Sequence, residues 1–361
     1  MKTLRSLALV ALTAMCATGA AAQQTKLLTA DKHNEYGLIY TLPKTALRIE
    51  VTAKRTVEKA GPYYQYAKRY IGTDKVVKND MEKWEITDVK VTPYGVADDS
   101  NRYLMQLKSG STSFICVSDD GMLLAINKEI ASAPQSSGLI AAETPESFNG
   151  KEYLQYVNED FLASQSSAKR AQLLAESLME VRDSKVALTR GTAETMPTDG
   201  KQLELMLQSL AAQEKALTAA FAGSREETTV KRTYTFLPKS KGKTVLFRMS
   251  DFAGFVEADD YSGEPVTVSV DVTRQGVLPT DEKGETKRLP KDAVAYCLPG
   301  TATITIALSG QKLFSKEMDF AQFGVNFGLN PALFSSKKEP SYATFDPATG
   351  ALRELGMVDA R

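Results

Sequence analysis

Tyr40-Thr41-Leu42-Pro43-Lys44-Thr45-Ala46, near the start of the chain, returns near its end as Tyr296-Cys297-Leu298-Pro299-Gly300-Thr301-Ala302. A shorter relative, Tyr234-Thr235-Phe236-Leu237-Pro238-Lys239, lies between them. Alternation follows each full phrase. Leu47, Ile49, Val51 and Ala53 alternate with Arg48, Glu50, Thr52 and Lys54. Ala302, Ile304, Ile306 and Leu308 alternate with Thr303, Thr305 and Ala307. A period of two sends one set of side chains to a core and the other to water, so each phrase opens a half-buried strand. Val266, Val268, Val270 and Val272, set against Thr267, Ser269 and Asp271, make a third.

The likeness runs further. Tyr66-Ala67 follows the first phrase at nearly the distance at which Phe320-Ala321 follows the second. Asp120-Gly121-Met122-Leu123 and Thr349-Gly350-Ala351-Leu352 close the two β-rich stretches. Such self-matches point to repeated β modules. Aligned on the phrase, however, Ile49 falls on Thr305 rather than on Ile304 or Ile306. A one-residue slip exchanges the two faces of a strand. Either a residue is inserted just after the Thr-Ala pair, or the likeness is coincidence.

Outward from the phrases, residues 35–130 read as a β-meander with one inserted helix. Gly61-Pro62 opens that helix, which runs to about Ile71; proline suits the first helical turn. Strand-like runs resume at Trp84–Val91, Tyr103–Leu107, Phe114–Val117 and Met122–Ile126, the last two joined by a tight Asp119-Asp120-Gly121 turn. Residues 131–150, rich in Ala, Ser, Pro and Gly, read as a linker. Helical texture follows, first over Lys151–Ala163. Ala171, Leu174, Leu178 and Val181 form one apolar stripe, and Leu203, Leu207, Leu210, Leu217 and Phe221 another. Asp199 with Gln202 resembles a capping box, and Gly223 a C-terminal stop. Two striped helices joined by a polar turn predict an αα-hairpin, each helix covering the other. From Thr228 the β texture returns; Asp281–Lys291 is a charged loop, and Asp346-Pro347-Ala348-Thr349-Gly350 a turn.

The chain has 361 residues, 43% of them apolar, enough to bury sizeable cores. Its first residues read as an export signal: Lys2 and Arg5 are positive, Leu7–Ala14 is a short apolar run, and Ala20-Ala21-Ala22 supplies small residues for cleavage. Cys16 raises lipid anchoring as an alternative, but Met15 is bulky where lipoprotein processing wants a small residue. No segment holds the roughly 20 apolar residues of a membrane helix. With 44 basic and 44 acidic residues the chain is no polycation, which argues against nucleic acid as a partner. The oligomeric state is not legible.

The run Leu28-Thr29-Ala30-Asp31-Lys32-His33-Asn34-Glu35-Tyr36-Gly37-Leu38-Ile39-Tyr40 through Thr45, with Gly61-Pro62-Tyr63-Tyr64-Gln65-Tyr66-Ala67-Lys68-Arg69-Tyr70-Ile71-Gly72, resembles an uncharacterised family of exported Bacteroidetes proteins, a domain of unknown function. The resemblance covers nearly the whole chain after the signal. It implies export and a single-family architecture, and it brings no activity and no functional residues with it.

The candidate chemistry is sparse. His33 is the only histidine, so a triad, a Cys–His dyad or a His-based metal site has little to draw on. The acidic pairs Asp98-Asp99, Asp119-Asp120 and Asp259-Asp260 offer carboxylates for a glycosidase, which needs two about 5 to 10 Å apart, but neighbours of this kind are also common turn residues. Asp259-Asp260-Tyr261-Ser262-Gly263-Glu264 has oxygen donors for Ca²⁺ without the spacing of a calcium loop. No P-loop, GxGxxG, HExxH, Gly-x-Ser-x-Gly or paired CxxC occurs, and the expectation is no cofactor and no metal. Cys116 and Cys297 lie in apolar runs; an oxidising compartment permits a bridge, and buried free thiols are the favoured reading. The binding candidates are Tyr63, Tyr64, Tyr66 and Tyr70. Three of them share a helix face that suits stacking on sugar or peptide, although such stripes usually pack as core.

The expectation is an α+β, mainly β protein: a signal peptide over 1–22, an N-terminal β-rich module with one short helix over 23–145, a helical segment over 146–224, and a C-terminal β-rich module over 225–361. The two modules are expected to be sandwich-like and separated by the helical hairpin, which would space them or present a surface. Function is expected to be non-enzymatic binding or scaffolding in the cell envelope, periplasmic or at the outer membrane, toward protein or glycan. A carbohydrate-active hydrolase using a carboxylate pair is the alternative.

Overall fold

The computed structural model describes residues 37–106, 114–130, 150–286, 293–334 and 340–358. The signal segment, Cys16, His33 and most of the linker lie outside them. The chain forms β1 (Gly37–Lys59), α1 (Ala67–Ile71), β2 (Met81–Gln106), β3 (Ile115–Val117), β4 (Leu123–Ile126), α2 (Glu159–Ala163), α3 (Ser167–Arg190) and α4 (Gly200–Ala222). Then come β5 (Ser224–Phe236), β6 (Gly242–Ser250), β7 (Gly254–Val256), β8 (Glu264–Arg274), β9 (Val294–Leu308), β10 (Gln311–Leu329), β11 (Ser341–Phe345) and β12 (Leu352–Met357). The protein is mostly β, built of several antiparallel sheets and including a half-barrel.

Among the described residues three sheets run β2-β1-β5, β10-β9-β8-β6-β7 and β12-β11-β4-β3. Strand pairing crosses the helical segment twice: β1 pairs with β5, and β4 pairs with β11. The β modules expected in succession are therefore interleaved. The reason is the length of β1 and β9, each of which runs through two cores. In the main core, Leu47, Ile49, Val51 and Ala53 of β1 meet Val266, Val268 and Val270 of β8 and Ala302, Ile304 and Ile306 of β9. In a second core, Leu38, Tyr40 and Leu42 meet Val294, Ala295 and Tyr296 of β9 with Leu123, Ile126, Ala343 and Phe345. Burying one such side chain contributes about 1.5–3 kcal/mol, so neither half of β1 can leave its core cheaply. The Tyr40 hydroxyl sews the strands together: it donates to the Ala295 carbonyl (3.2 Å) and accepts from the Ala295 N–H (2.7 Å).

Each phrase marks the passage from one core to the other. Opposite Leu42, β2 bulges outward over residues 98–101, between the pairs Thr41↔Arg102 and Pro43↔Ala97. Opposite Pro299, β10 bulges over residues 321–324, between Leu298↔Val325 and Gly300↔Phe320. Proline has no N–H to give a ladder, and a bulge is where a ladder tolerates it. A bulge also explains why the sequence strands Trp84–Val91 and Tyr103–Leu107 belong, over the described residues, to the one strand β2: Asp98-Asp99-Ser100-Asn101 reads as a turn and is instead a bulge. The register of Ile49 has a physical cause too. The β1 side chains that enter the cores are Leu38, Tyr40 and Leu42 before the passage and Leu47, Ile49, Val51 and Ala53 after it, even and then odd, with Thr41–Pro43 and Thr45–Leu47 buried as unbroken runs between. In β9, Tyr296, Ala302, Ile304 and Ile306 keep one parity.

Two further parallels hold at the tight turns. Gly121 (φ +78°) follows the Asp119-Asp120 turn, and its carbonyl accepts from Thr41 N at 3.0 Å. Gly350 (φ +69°) follows the Asp346–Thr349 turn, and its carbonyl accepts from Cys297 N at 3.0 Å. Both turns need the left-handed backbone that glycine takes at least cost.

The long helices α3 and α4 pack on each other and share the Arg182–Glu214 and Lys185–Glu214 ion pairs (both 2.9 Å). Gly223 ends α4 as expected, whereas the Asp199 side chain makes no capping bond.

Candidate functional site

The four tyrosines sit where the helices meet the body. Tyr63 is 7% exposed and lies at 6.1–6.3 Å from the rings of Tyr153, Phe161 and Phe221. Burial pushes its hydroxyl above the usual tyrosine range, against the opposing pull of Arg170. Tyr66 and Tyr70 are half-buried, pack against each other (6.4 Å), and Tyr70 reaches Phe221. Tyr64 is half-buried and joins none of these ring contacts. The shared helix face thus faces a helical core with Leu174, Leu178 and Leu217.

The fold splits one of the acidic pairs. Asp98 is buried, while Asp99 is exposed. Burial alone would raise the Asp98 carboxyl. Bonds from Lys44 (2.8 Å), the Ser100 hydroxyl (2.6 Å), Asn101 (2.6 Å) and the Ser100 N–H outweigh it and hold the group down at about 2. Asp119 and Asp120 form a hairpin turn. Among the described residues no cluster of metal-ligating side chains occurs. Cys116 and Cys297 are buried free thiols facing the carbonyls of Ile130 and Ala321.

Two surface features were not legible as sites in the sequence. One is a pair of loops at the end of β6. Phe252 is 77% exposed at the tip of the β6–β7 hairpin, and Tyr261 is 82% exposed in the loop from β7 to β8. Large aromatics are ordinarily buried, so two on neighbouring loops call for a reason. Both loops are fixed. The Ser250 hydroxyl accepts from the N–H of Phe252 (3.4 Å) and of Ala253 (3.3 Å). Gly254 (φ +71°) lies flat on the Trp84 indole, where a Cβ would come within 2.8 Å of ring carbons. In the second loop, Arg248 donates to the carbonyls of Ala258 (2.9 Å) and Gly263 (3.1 Å), and its guanidinium lies 4.4 Å from the Tyr261 ring centre. The Ser262 N–H and hydroxyl hold the Asp260 carboxyl below its usual range, with Arg248 adding to the pull. The one signal in sequence was Phe252 itself, an aromatic among the turn residues Ser250, Asp251, Ala253 and Gly254.

The other feature is a pair of adjoining grooves along β8, β9 and β10, the first polar and the second mixed. One, of about 430 Å³, is lined by Thr273, Arg274, Thr301, Glu317 and Asp319. Thr273 donates to Glu317 (2.6 Å), Thr301 to Asp319 (3.0 Å), and Arg274 to the Thr301 hydroxyl (3.0 Å). Its neighbour, of about 530 Å³, is lined by Lys239, Lys241, Gln275 and Phe323 among others. Glu317 and Asp319 are two apart on one strand and so share a face.

No curated protein and no solved structure matches the chain. One family model does, over residues 36–353, which takes in every described strand up to β11 and the start of β12. The chain belongs to the family described as Domain of unknown function (DUF4831).

Proposed function

We propose that this is an exported protein of the cell envelope that acts by binding, through the Phe252 and Tyr261 loops. The observation that carries the reading is two exposed aromatic rings on hydrogen-bonded loops. Rigid aromatic side chains give a large contact area at little cost in lost freedom, and binding residues favour loops held by a stiff scaffold. In this reading the three- and five-stranded sheets that share the main core serve as a sandwich-like scaffold, and the α3–α4 hairpin as a spacer or second surface. Export rests on the N-terminal signal pattern and on the resemblance to exported proteins.

Capture tests the binding reading. Immobilised protein and its Phe252→Ala/Tyr261→Ala variant are exposed to envelope extract. A component retained by the first and lost by the second supports it, provided both melt alike; identical retention overturns it. The mass of protein recovered from expressing cells tests export: a chain beginning at Gln23 supports it, and an intact Met1 refutes it.

The hydrolase alternative keeps one specific support, the shared face of Glu317 and Asp319 beside Arg274 in an open groove. Glycan hydrolysis abolished by Glu317→Gln would establish it; its absence across neutral and acidic glycans would end it.

A further inference from the structure

We infer that the Phe252 and Tyr261 loops take a lysine- or arginine-bearing polypeptide segment; this rests on the binding reading above and narrows its partner. Exposed aromatics alone suit a sugar, a peptide or a second copy of this chain, and the surrounding charge separates them. Asp251, Glu257, Asp259 and Glu264 are all exposed on the same two loops or at the first residue of β8. None of the four makes an ion pair among the described residues. Several carboxylates elsewhere are matched: Glu82 with Arg55, Asp80 with Lys59, Glu214 with Arg182 and Lys185, Glu354 with Lys128. Of the nearby cations, Arg248 is committed to two backbone carbonyls and to one face of Tyr261, and Arg232 lies over the Phe255 ring at 5.2 Å.

The Arg248 contact with Tyr261 shows the chemistry the other face of the ring can repeat. An aromatic ring attracts a cation over its face through its quadrupole, and nearby carboxylates add long-range attraction that steers a positive partner in. A neutral glycan would use the rings and leave the carboxylates idle. A second copy docked on this patch would set like charge against like. Nucleic acid would be repelled. A cationic segment uses both features, with side-chain cations over Phe252 and Tyr261 and neighbouring cations opposite Asp251, Glu257, Asp259 and Glu264.

The test uses the full chain after its signal, with three probes: a peptide of alternating lysine and glycine, its serine–glycine counterpart, and a neutral glucose oligosaccharide. Calorimetric titration should show the lysine peptide binding, the serine peptide not, and affinity falling as salt rises. Tyr261→Ala and Phe252→Ala should each weaken it by about two- to thirtyfold, the range of one cation–ring contact. Glu257→Gln/Asp259→Asn should weaken it and flatten the salt dependence. Lysine-peptide binding that ignores the two ring variants overturns the inference, since bulk charge then suffices. Oligosaccharide binding that depends on the rings and not on salt also overturns it, yet leaves the binding reading standing. That reading falls separately, when wild type and the double variant retain the same components from envelope extract.

Discussion

Replacing Gln322 with alanine should destabilise the fold well beyond the loss of one surface amide. Gln322 belongs to the β10 bulge, and its side chain reaches β1 beyond the end of β5, which pairs only from Leu47 onward. There it does what a strand would do. Its Oε1 accepts from Thr45 N–H, and its Nε2 donates to the carbonyls of Thr45 and Pro238, all at 2.9 Å. Thr45 is fully buried, so its N–H has no ready replacement in water. Each bond is worth about 1 kcal/mol net, and an orphaned buried donor costs about 1–3 kcal/mol. Gln322 is itself half-buried, so water recovers part of this, and the expected loss is about 2–3 kcal/mol. Urea unfolding followed by tryptophan emission from Trp84 would measure it. Gln322→Glu sharpens the test: it keeps the shape and the acceptor but turns an oxygen toward two carbonyls, so it should cost at least as much as alanine. A loss under about 0.5 kcal/mol for alanine, or a glutamate variant as stable as wild type, would refute the strand-substitute reasoning.

Three more outcomes are expected. Because the Asp98 carboxyl is held at about 2, below its ordinary 3.8, its contribution is present above pH 4 and lost as pH falls toward 2; Asp98→Asn should remove about 1–2 kcal/mol at pH 7 and flatten stability between pH 4 and 2. A Cβ on Gly95 would sit 2.0 Å from the Pro347 carbonyl oxygen, so Gly95→Ala should cost several kcal/mol or prevent folding, read as loss of soluble protein or a lower unfolding midpoint. Tyr63→Ala should cost about 3–5 kcal/mol through the cavity it leaves among Tyr153, Phe161 and Phe221, while Tyr64→Ala should stay within about 1 kcal/mol; equal losses in urea unfolding would undo the distinction.

Strand content was readable from the alternation at Leu47–Ala53, Val266–Val272 and Ala302–Leu308, because a period of two is a local signal. The helical stripes at Ala171–Leu178 and Leu217–Phe221 were readable for the same reason. What escaped was long-range: nothing near Leu47 announces that Phe236 pairs with it, and nothing near Ile126 announces Ala343. Asp98–Asn101 has the composition of a turn, and only the partner strand makes it a bulge. The candidate site was hidden by the same gap. Tyr63, Tyr66 and Tyr70 had a visible helical spacing, but their spacing could not say that Phe221 would cover them. Phe252 and Tyr261 carry no spacing at all; their exposure depends on Ser250, Arg248 and Trp84, which the fold brings alongside.

The Tyr40 hydroxyl bond to Ala295 and the Thr45 hydroxyl bond to Ala348 span 255 and 303 residues of chain. Contacts of such separation form slowly, because the intervening chain must be ordered before they repay the closure. Synthesis delivers β1 before the strands it pairs with, and the Ala348 carbonyl 303 residues after Thr45. For that whole interval β1, which feeds both cores, has neither core complete. The nascent chain is therefore at its stickiest early, and its closing step falls to the final strands: β10 brings Gln322, the β11–β12 turn brings Ala348, and only then does Thr45 leave water.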